Sequence, residues 1–311
     1  LFKDDRFLYH LLSKRFSFDE SQLITDTLSK KMFLKIIAIR LLPLLTIVFG
    51  SLLVLRTLWS VLASRKIEWK EFKPLDLDLL DMVLLISGGF VVLGEVISPL
   101  FSITLVELVA SNLSIELTQS LKIFFGYLFM AIPPLGIIYY QIKSFEKKII
   151  LKKDYFQFNF LPIKDSFFQG FKGFLMIIPF VLLVSLIMNL LVDNQNGSNP
   201  LLEIVLNSNN YLSFLLLFLT TTFLAPIFEE VIFRGVLLPI LSREFGIILG
   251  ITISAFIFAL AHLSIGEMIP LFTLGIGLGT TRLISGRLSS SVIMHSLWNG
   301  MTFLNLFLLR T

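Results

Sequence analysis

The sequence predicts an all-α protein, a polytopic transmembrane helical bundle with about eight membrane segments. Three observations lead to this fold class. The 311-residue chain is 55% hydrophobic and only 15% charged, whereas soluble globular chains have about 25% charged residues. Its mean hydropathy is +0.86. Its apolar residues are concentrated in runs comparable with the roughly 20 residues that a helix needs to cross a bilayer.

The apolar runs follow one another along the whole chain, and each is predicted to be a helix. They lie near residues 33–63, 79–106, 121–142, 167–192, 211–227, 246–264, 268–284 and 288–309. Residues 229–241 continue the fifth run as a further mostly apolar stretch. The first run contains arginines, so it is either one long tilted helix or a broken hairpin.

The distribution of basic residues in the loops predicts how the helices are oriented. The loop 143–166 carries six lysines, whereas the loops 107–120 and 193–210 carry neither Lys nor Arg. The positive-inside rule therefore places the basic loop on the cytoplasmic (or stromal) side and its two neighbours outside. The net charge of +4 then reflects membrane orientation, and we expect no nucleic-acid partner.

Two parts are predicted along the chain. Residues 1–160 form an N-terminal extension with about three membrane helices, and residues 161–311 form the helical core that holds the site. The polar segment "DNQNGSNP" (193–200) is the clearest turn between helices. The N-terminal stretch 1–16 is too charged for a secretory signal and is predicted to be a tail or a surface helix. The absence of cysteine excludes disulfides, a thiol nucleophile and a Cys-ligated metal.

Ionisable side chains are rare inside membrane spans, and those that occur are functional candidates by default. The C-terminal part contains five such residues and one amide, namely Glu229, Glu230, Arg234, His262, His295 and Asn299. Two of the three histidines in the chain belong to this set. We therefore look for the functional site here.

Helical spacing predicts different surroundings for the two glutamates of "FEEVIFRG". Glu230 and Arg234 are four residues apart, so they share a helix face and can pair. Glu229 points about 100° away from Glu230, so it can remain unpaired. The pair fits a structural lock between helices equally well. If Pro226 starts a helix, Glu229 lies near its favourable N-terminal end; if the helix is continuous from residue 211, that argument fails.

The same four-residue spacing occurs on two later helices. His295 and Asn299 share a face in "HSLWN", and Phe258 and His262 share one in "FALAH". Three helices thus each offer a polar face to a common interior.

Two histidines, a carboxylate and an amide suffice for a water-activation site. A glutamate acts as general base while a histidine orients and polarises the water, and the second histidine and the amide stabilise the oxyanion of a tetrahedral intermediate. The predicted reaction is hydrolysis of an amide within or beside the membrane, without a cofactor. A metal held by Glu and two His is the second interpretation, although "H-E-x-x-H" is absent. A transporter would need two related halves, and the polar residues lie in one half only.

The three motifs, taken in order, resemble a known family. "EEVIFRG", "FALAH" and "HSLWN" match the E-E-x-x-x-R, F-x-x-x-H and H-x-x-x-N/D motifs of the CAAX-processing and bacteriocin-processing (CPBP, formerly Abi) family of intramembrane glutamic endopeptidases. Its best-known member trims prenylated CAAX proteins. The resemblance covers about residues 224–300.

The resemblance implies a role for each residue. Glu229 would be the catalytic carboxylate that activates water together with His262, and His295 and Asn299 would form the oxyanion hole. It implies three supporting residues, namely Glu230, Arg234 and Phe258. A metal-independent enzyme is the preferred interpretation, because the water-activation chemistry needs no metal.

The expected setting follows from the family and the composition. We expect a multi-pass integral protein of a bacterial inner (or thylakoid-type) membrane, with the lipid bilayer and a membrane protein or peptide substrate as its partners. The alternative is a non-catalytic membrane scaffold or bacteriocin-immunity-type protein that retains the fold. Gly275 and Gly279 have the spacing of close helix packing, within the chain or in a dimer. Glu95 and Glu107 are interpreted as solvated helix ends.

Overall fold

A computed structural model describes residues 26–63, 67–72, 77–110, 113–146, 156–191 and 210–309. The predictions for the stretch 1–16 and for the turn 193–200 lie outside these residues. The chain divides into two compact units, Leu1–Leu44 and Leu45–Thr311. The candidate site and the packing around it belong to the second unit.

The described residues form eight successive helices. They are α1 (Asp26–Leu62), α2 (Leu79–Val109), α3 (Ile115–Glu146), α4 (Ile163–Leu191), α5 (Tyr211–Phe245), α6 (Ile247–Ala261), α7 (Met268–Ser285) and α8 (Leu288–Leu309). No strand occurs within these described ranges, so the predicted all-α fold is confirmed. The first run is one continuous helix with Pro43 in its interior, and not a broken hairpin.

Six segments are long and apolar enough to cross a membrane by length and composition. They are Pro43–Leu62, Leu79–Val109, Ile115–Gln141, Ile163–Leu191, Tyr211–Phe245 and Met268–Ser285, and α6 is a shorter apolar helix. Large apolar side chains such as Leu52, Phe101 and Leu183 are more than half exposed on these helices. In a bilayer such side chains face lipid, so the chain is a multi-pass integral membrane protein.

The α5 helix runs without a break from Tyr211 to Phe245, with Pro226 in its interior. Of the two alternatives for Pro226, the continuous helix is therefore correct, and the argument from a helix N-terminus does not apply to Glu229. A proline inside a helix cannot donate to the carbonyl four residues earlier, and a wider π-helical turn, Thr220–Leu224, directly precedes this region. A second π-helical stretch, Val231–Leu237, follows it.

The core of the second unit lies between the C-terminal helices. The α4 helix packs against α7 and α8, and α6 packs against both α7 and the end of α5. Buried apolar side chains such as Phe233, Leu237 and Leu278 fill the space between them. The α2 and α3 helices pack on each other, and α3 also contacts the first half of α5.

Gly275 lies where α6 and α7 approach each other closely. A Cβ atom at this position would lie 2.9 Å from the Cβ and 3.0 Å from the Cα of Ala255, whereas one at Gly279 would meet only ordinary contacts of 3.4 Å or more. The close packing expected from the G-x-x-x-G spacing therefore occurs within the chain and depends on the first glycine.

Candidate active site

A fully buried ion pair on α5 lies at the centre of the site. Arg234 Nη1 is 2.9 Å from Glu230 Oε1, and neither side chain is exposed. Arg234 also donates through Nη2 to the carbonyl oxygen of Gly275 on α7, at 3.1 Å. Its guanidinium carbon lies 4.4 Å from the ring centroid of Phe258 on α6. One arginine therefore joins three helices at this point.

His295 joins the pair from α8. Its Nδ1 lies 3.0 Å from Glu230 Oε1, the same oxygen that accepts from Arg234. Because a carboxylate paired with arginine is an acceptor, we assign the ring proton to Nδ1. The other ring nitrogen, Nε2, is then directed toward Glu229, which lies 3.8 Å away.

His262 stands at the C-terminal end of α6. Its Nδ1 lies 2.8 Å from the carbonyl oxygen of Phe258, and since a carbonyl only accepts, this nitrogen also carries the proton. The Phe258 ring contacts both imidazoles, with centroids 4.7 Å from His262 and 5.7 Å from His295. The His262 side chain remains 30% exposed, whereas that of His295 is almost fully buried.

Glu229 occupies the space between the two imidazoles. Its Oε2 lies 3.8 Å from His295 Nε2 and 3.9 Å from His262 Nε2, and both distances exceed a hydrogen bond. This oxygen is buried and has no hydrogen-bond partner among the residues that the structure describes. A buried polar atom without a partner carries a free-energy cost, and Glu229 is the candidate for chemistry because this oxygen also lies between two imidazole nitrogens.

Asn299 lies one turn beyond His295 on α8 and is held by a separate contact. Its Nδ2 donates to the carbonyl oxygen of Thr221, at 2.9 Å, in the π-helical turn that precedes Pro226. An amide nitrogen carries two N–H groups, so one remains after this bond. The structure thus brings Glu229, His262 and His295 into direct proximity and attaches Asn299 to the backbone of α5.

The described residues contain no group of three or more His, Cys, Asp or Glu side chains arranged to hold a metal ion.

Residues 211–301 match the family model described as Rce1-like, type II CAAX prenyl endopeptidase. The chain carries an Rce1-like domain. The CPBP resemblance predicted from the three motifs is thereby confirmed. No curated protein and no solved structure gives a match.

The Rce1-like segment begins with α5 and ends within α8, so it contains every site residue that the motifs predict. Two further polar residues approach Glu229 from outside this segment. Glu95 on α2 and Tyr127 on α3 both interact electrostatically with Glu229, and Tyr127 also interacts with Glu95. The surroundings of Glu229 therefore include residues from outside the segment that matches the family model.

The interpretation of Glu95 as a solvated helix end is wrong. Glu95 lies in the middle of the span Leu79–Val109 and is partly buried. The rule that singled out Glu229, an ionisable residue inside an apolar run, applies equally to Glu95 and would have found it. Tyr127 gave no such signal, because tyrosine is common in apolar helices. Glu107 does lie at the exposed end of α2, 2.6 Å from Lys122.

Proposed function

We propose that this protein is an intramembrane endopeptidase that hydrolyses peptide bonds of membrane-associated proteins or peptides. It acts as a metal-independent glutamic peptidase in a bacterial inner or thylakoid-type membrane. The Rce1-like domain supports the reaction class, and the residues themselves support the mechanism.

One observation carries the proposal: the buried, unpartnered Oε2 of Glu229 stands between two imidazole nitrogens at 3.8 and 3.9 Å. Polar groups at such separations are suited to a bridging water. With Nδ1 protonated, Nε2 of the neutral His262 imidazole is an acceptor, as is the carboxylate. A water bound there donates its protons to the site, and this orientation is the one that general-base activation requires.

Hydrolysis then proceeds with a balanced transfer of protons. Glu229 takes one proton from the water as its oxygen bonds to the scissile carbonyl carbon, while His262 holds the water in position. The carbonyl oxygen becomes an oxyanion. Glu229 returns the proton to the amide nitrogen as the C–N bond breaks, leaving a carboxylic acid and an amine.

Asn299 and His295 stabilise the oxyanion. The second N–H of Asn299 donates directly, since its first N–H is used by Thr221. His295 is proposed to donate through Nε2, which requires a proton on each ring nitrogen because Nδ1 already donates to Glu230. One donor of this kind contributes about 2.7–4 kcal/mol to an acyl-transfer transition state. The buried pair of Glu230 with Arg234 keeps this arrangement in place.

The proposal is tested by comparing peptide termini in membrane fractions of cells that make the wild-type chain, the Glu229→Gln variant or no protein. Glu229→Gln keeps the shape of the side chain and removes the base. Glu107→Gln is the matched control, because it changes an exposed glutamate at the end of α2.

Termini that occur with the wild type and with Glu107→Gln, but not with Glu229→Gln, are the expected result and identify the substrates. Identical termini from wild type and Glu229→Gln would refute hydrolysis. If both chains then produced the same phenotype relative to cells without the protein, the scaffold function would be the correct one.

A further inference from the structure

We infer that Glu95 is a specificity-determining residue that forms an anionic subsite beside Glu229 and takes a basic side chain of the substrate close to the scissile bond. This inference rests on the proposed function. It concerns a residue of the N-terminal extension, outside the Rce1-like segment 211–301.

The fold turns the face of α2 that bears Glu95 toward the catalytic part of α5. Phe90 stacks on Phe228 with ring centroids 5.8 Å apart and meets Phe233 edge-on at 5.9 Å. Residues Leu84–Ile97 form a π-helical stretch, in which residues five apart are hydrogen-bonded neighbours on successive turns. Glu95 therefore lies one helical turn after Phe90. The contact partner of Phe90, Phe228, directly precedes Glu229 in the chain.

Close packing of α2 on α3 fixes this placement. A Cβ atom at Gly94 would lie 3.0 Å from the backbone oxygen of Met130, so the two helices are nearly in backbone contact beside Glu95. Tyr127 is one turn before Met130 and interacts electrostatically with both Glu95 and Glu229. Three polar groups from α2, α3 and α5 are thus close enough to interact electrostatically with one another, and the Oε2 atom of one of them, Glu229, is buried without a partner among the described residues.

Glu229 and Glu95 differ in their charged neighbours. Glu229 has Arg234 and two imidazoles near it. Glu95, in contrast, has neither a hydrogen bond nor an ion pair with any residue that the structure describes, and its charged neighbour is another carboxylate. A carboxylate in the middle of a membrane span is costly unless a cation or a wet cavity compensates it. A lysine or arginine side chain of the substrate supplies the missing cation when the peptide binds next to Glu229.

The test uses the full chain in membranes and works with whatever substrates the cells supply. Peptide termini are mapped for the wild type, Glu95→Gln, Glu95→Lys and Glu229→Gln, with Glu107→Gln as the control glutamate on the same helix. The readout is the residue composition on each side of the cleaved bond, together with the amount of each variant that is monodisperse after extraction in detergent. Glu95→Gln is close in size to the native residue, so it keeps the test valid if Glu95→Lys does not fold.

We expect wild-type sites to be enriched in Lys or Arg near the cleaved bond. Glu95→Gln should lower cleavage at those sites roughly ten- to hundredfold relative to sites without a basic residue, as for the loss of one charged contact. Glu95→Lys should shift the preference toward Asp and Glu, and Glu107→Gln should leave the profile unchanged.

Two results would overturn the inference alone, with the proposed function intact. One is a Glu95→Gln profile identical to that of the wild type. The other is an equal fall at all sites, which would make Glu95 a general contributor to catalysis or folding. Identical termini from wild type and Glu229→Gln would instead overturn the proposed function, and this inference with it.

Discussion

Replacing Arg234 by methionine tests whether the buried ion pair holds the site together. The substitution keeps the length of the side chain but removes the contacts with Glu230 (2.9 Å) and with the Gly275 carbonyl (3.1 Å). It leaves the Glu230 carboxylate buried without its cation. Because neither side chain is exposed, solvent does not screen the loss, and breaking such a pair costs about 3–5 kcal/mol.

This cost corresponds to a large fall in melting temperature. At about 2–4 °C per kcal/mol for domains of 150–250 residues, we expect Tm to decrease by roughly 6–20 °C. The measurement is thermal unfolding of the purified protein in detergent, followed by tryptophan fluorescence. Glu230→Leu alone should be similarly destabilised, since it leaves Arg234 buried without its carboxylate.

The double variant, Arg234→Met with Glu230→Leu, separates stability from activity. Removing both charges together should return Tm to near the wild-type value or above it, because apolar residues replace a buried pair at little or no cost. Peptidase activity should not return, since Nδ1 of His295 then has no acceptor. A fall in Tm below about 2 °C for Arg234→Met, or a double variant less stable than both single ones, would refute this reasoning.

The remaining predictions concern the proposed oxyanion donors and the packing of α7. Asn299→Asp, which removes both N–H groups, should lower kcat about 100- to 1,000-fold with little change in KM; a change in KM alone would argue for a role in binding. His295→Gln keeps a donor and should retain more kcat than His262→Gln, which loses the group that holds the water, and the reverse order would exchange the two roles. Gly275→Ala should destabilise the protein by about 1–3 kcal/mol through overpacking, which thermal unfolding would show as a lower Tm. An equally large effect of Gly279→Ala would refute the tighter contact at Gly275.

Most of the fold is predictable because hydrophobic length is a local property. Runs of apolar residues set where the helices lie, and the structure has helices at each of them. The sequence does not decide whether α5 is continuous through Pro226, because it does not reveal the π-helical stretches before and after that proline. Likewise, the α-helical period of 3.6 residues does not predict which residues share a helix face in the π-helical stretch of α2.

The site was only partly predictable for a similar reason. The pairing of Glu230 with Arg234 follows from four-residue spacing, which sequence reveals directly. The bond between Glu230 and His295 joins residues 65 positions apart, and no spacing rule reaches that far. Tyr127 is more distant still from Glu229 in sequence, and its approach depends on how α3 packs along α5.

The two adjacent glutamates of α5 owe their different behaviour to what surrounds each of them. Glu230 receives both Arg234 and His295 on one oxygen, Oε1, so this oxygen fixes the position of the two neighbouring groups. That same contact places the proton of His295 on Nδ1 and directs Nε2 toward Glu229. Glu229 lies about 100° around the helix from Glu230, and its Oε2 lies just beyond hydrogen-bond distance of two ring nitrogens. A position between two acceptors, Glu229 Oε2 and Nε2 of His262, suits a molecule that donates two protons, and water is such a molecule.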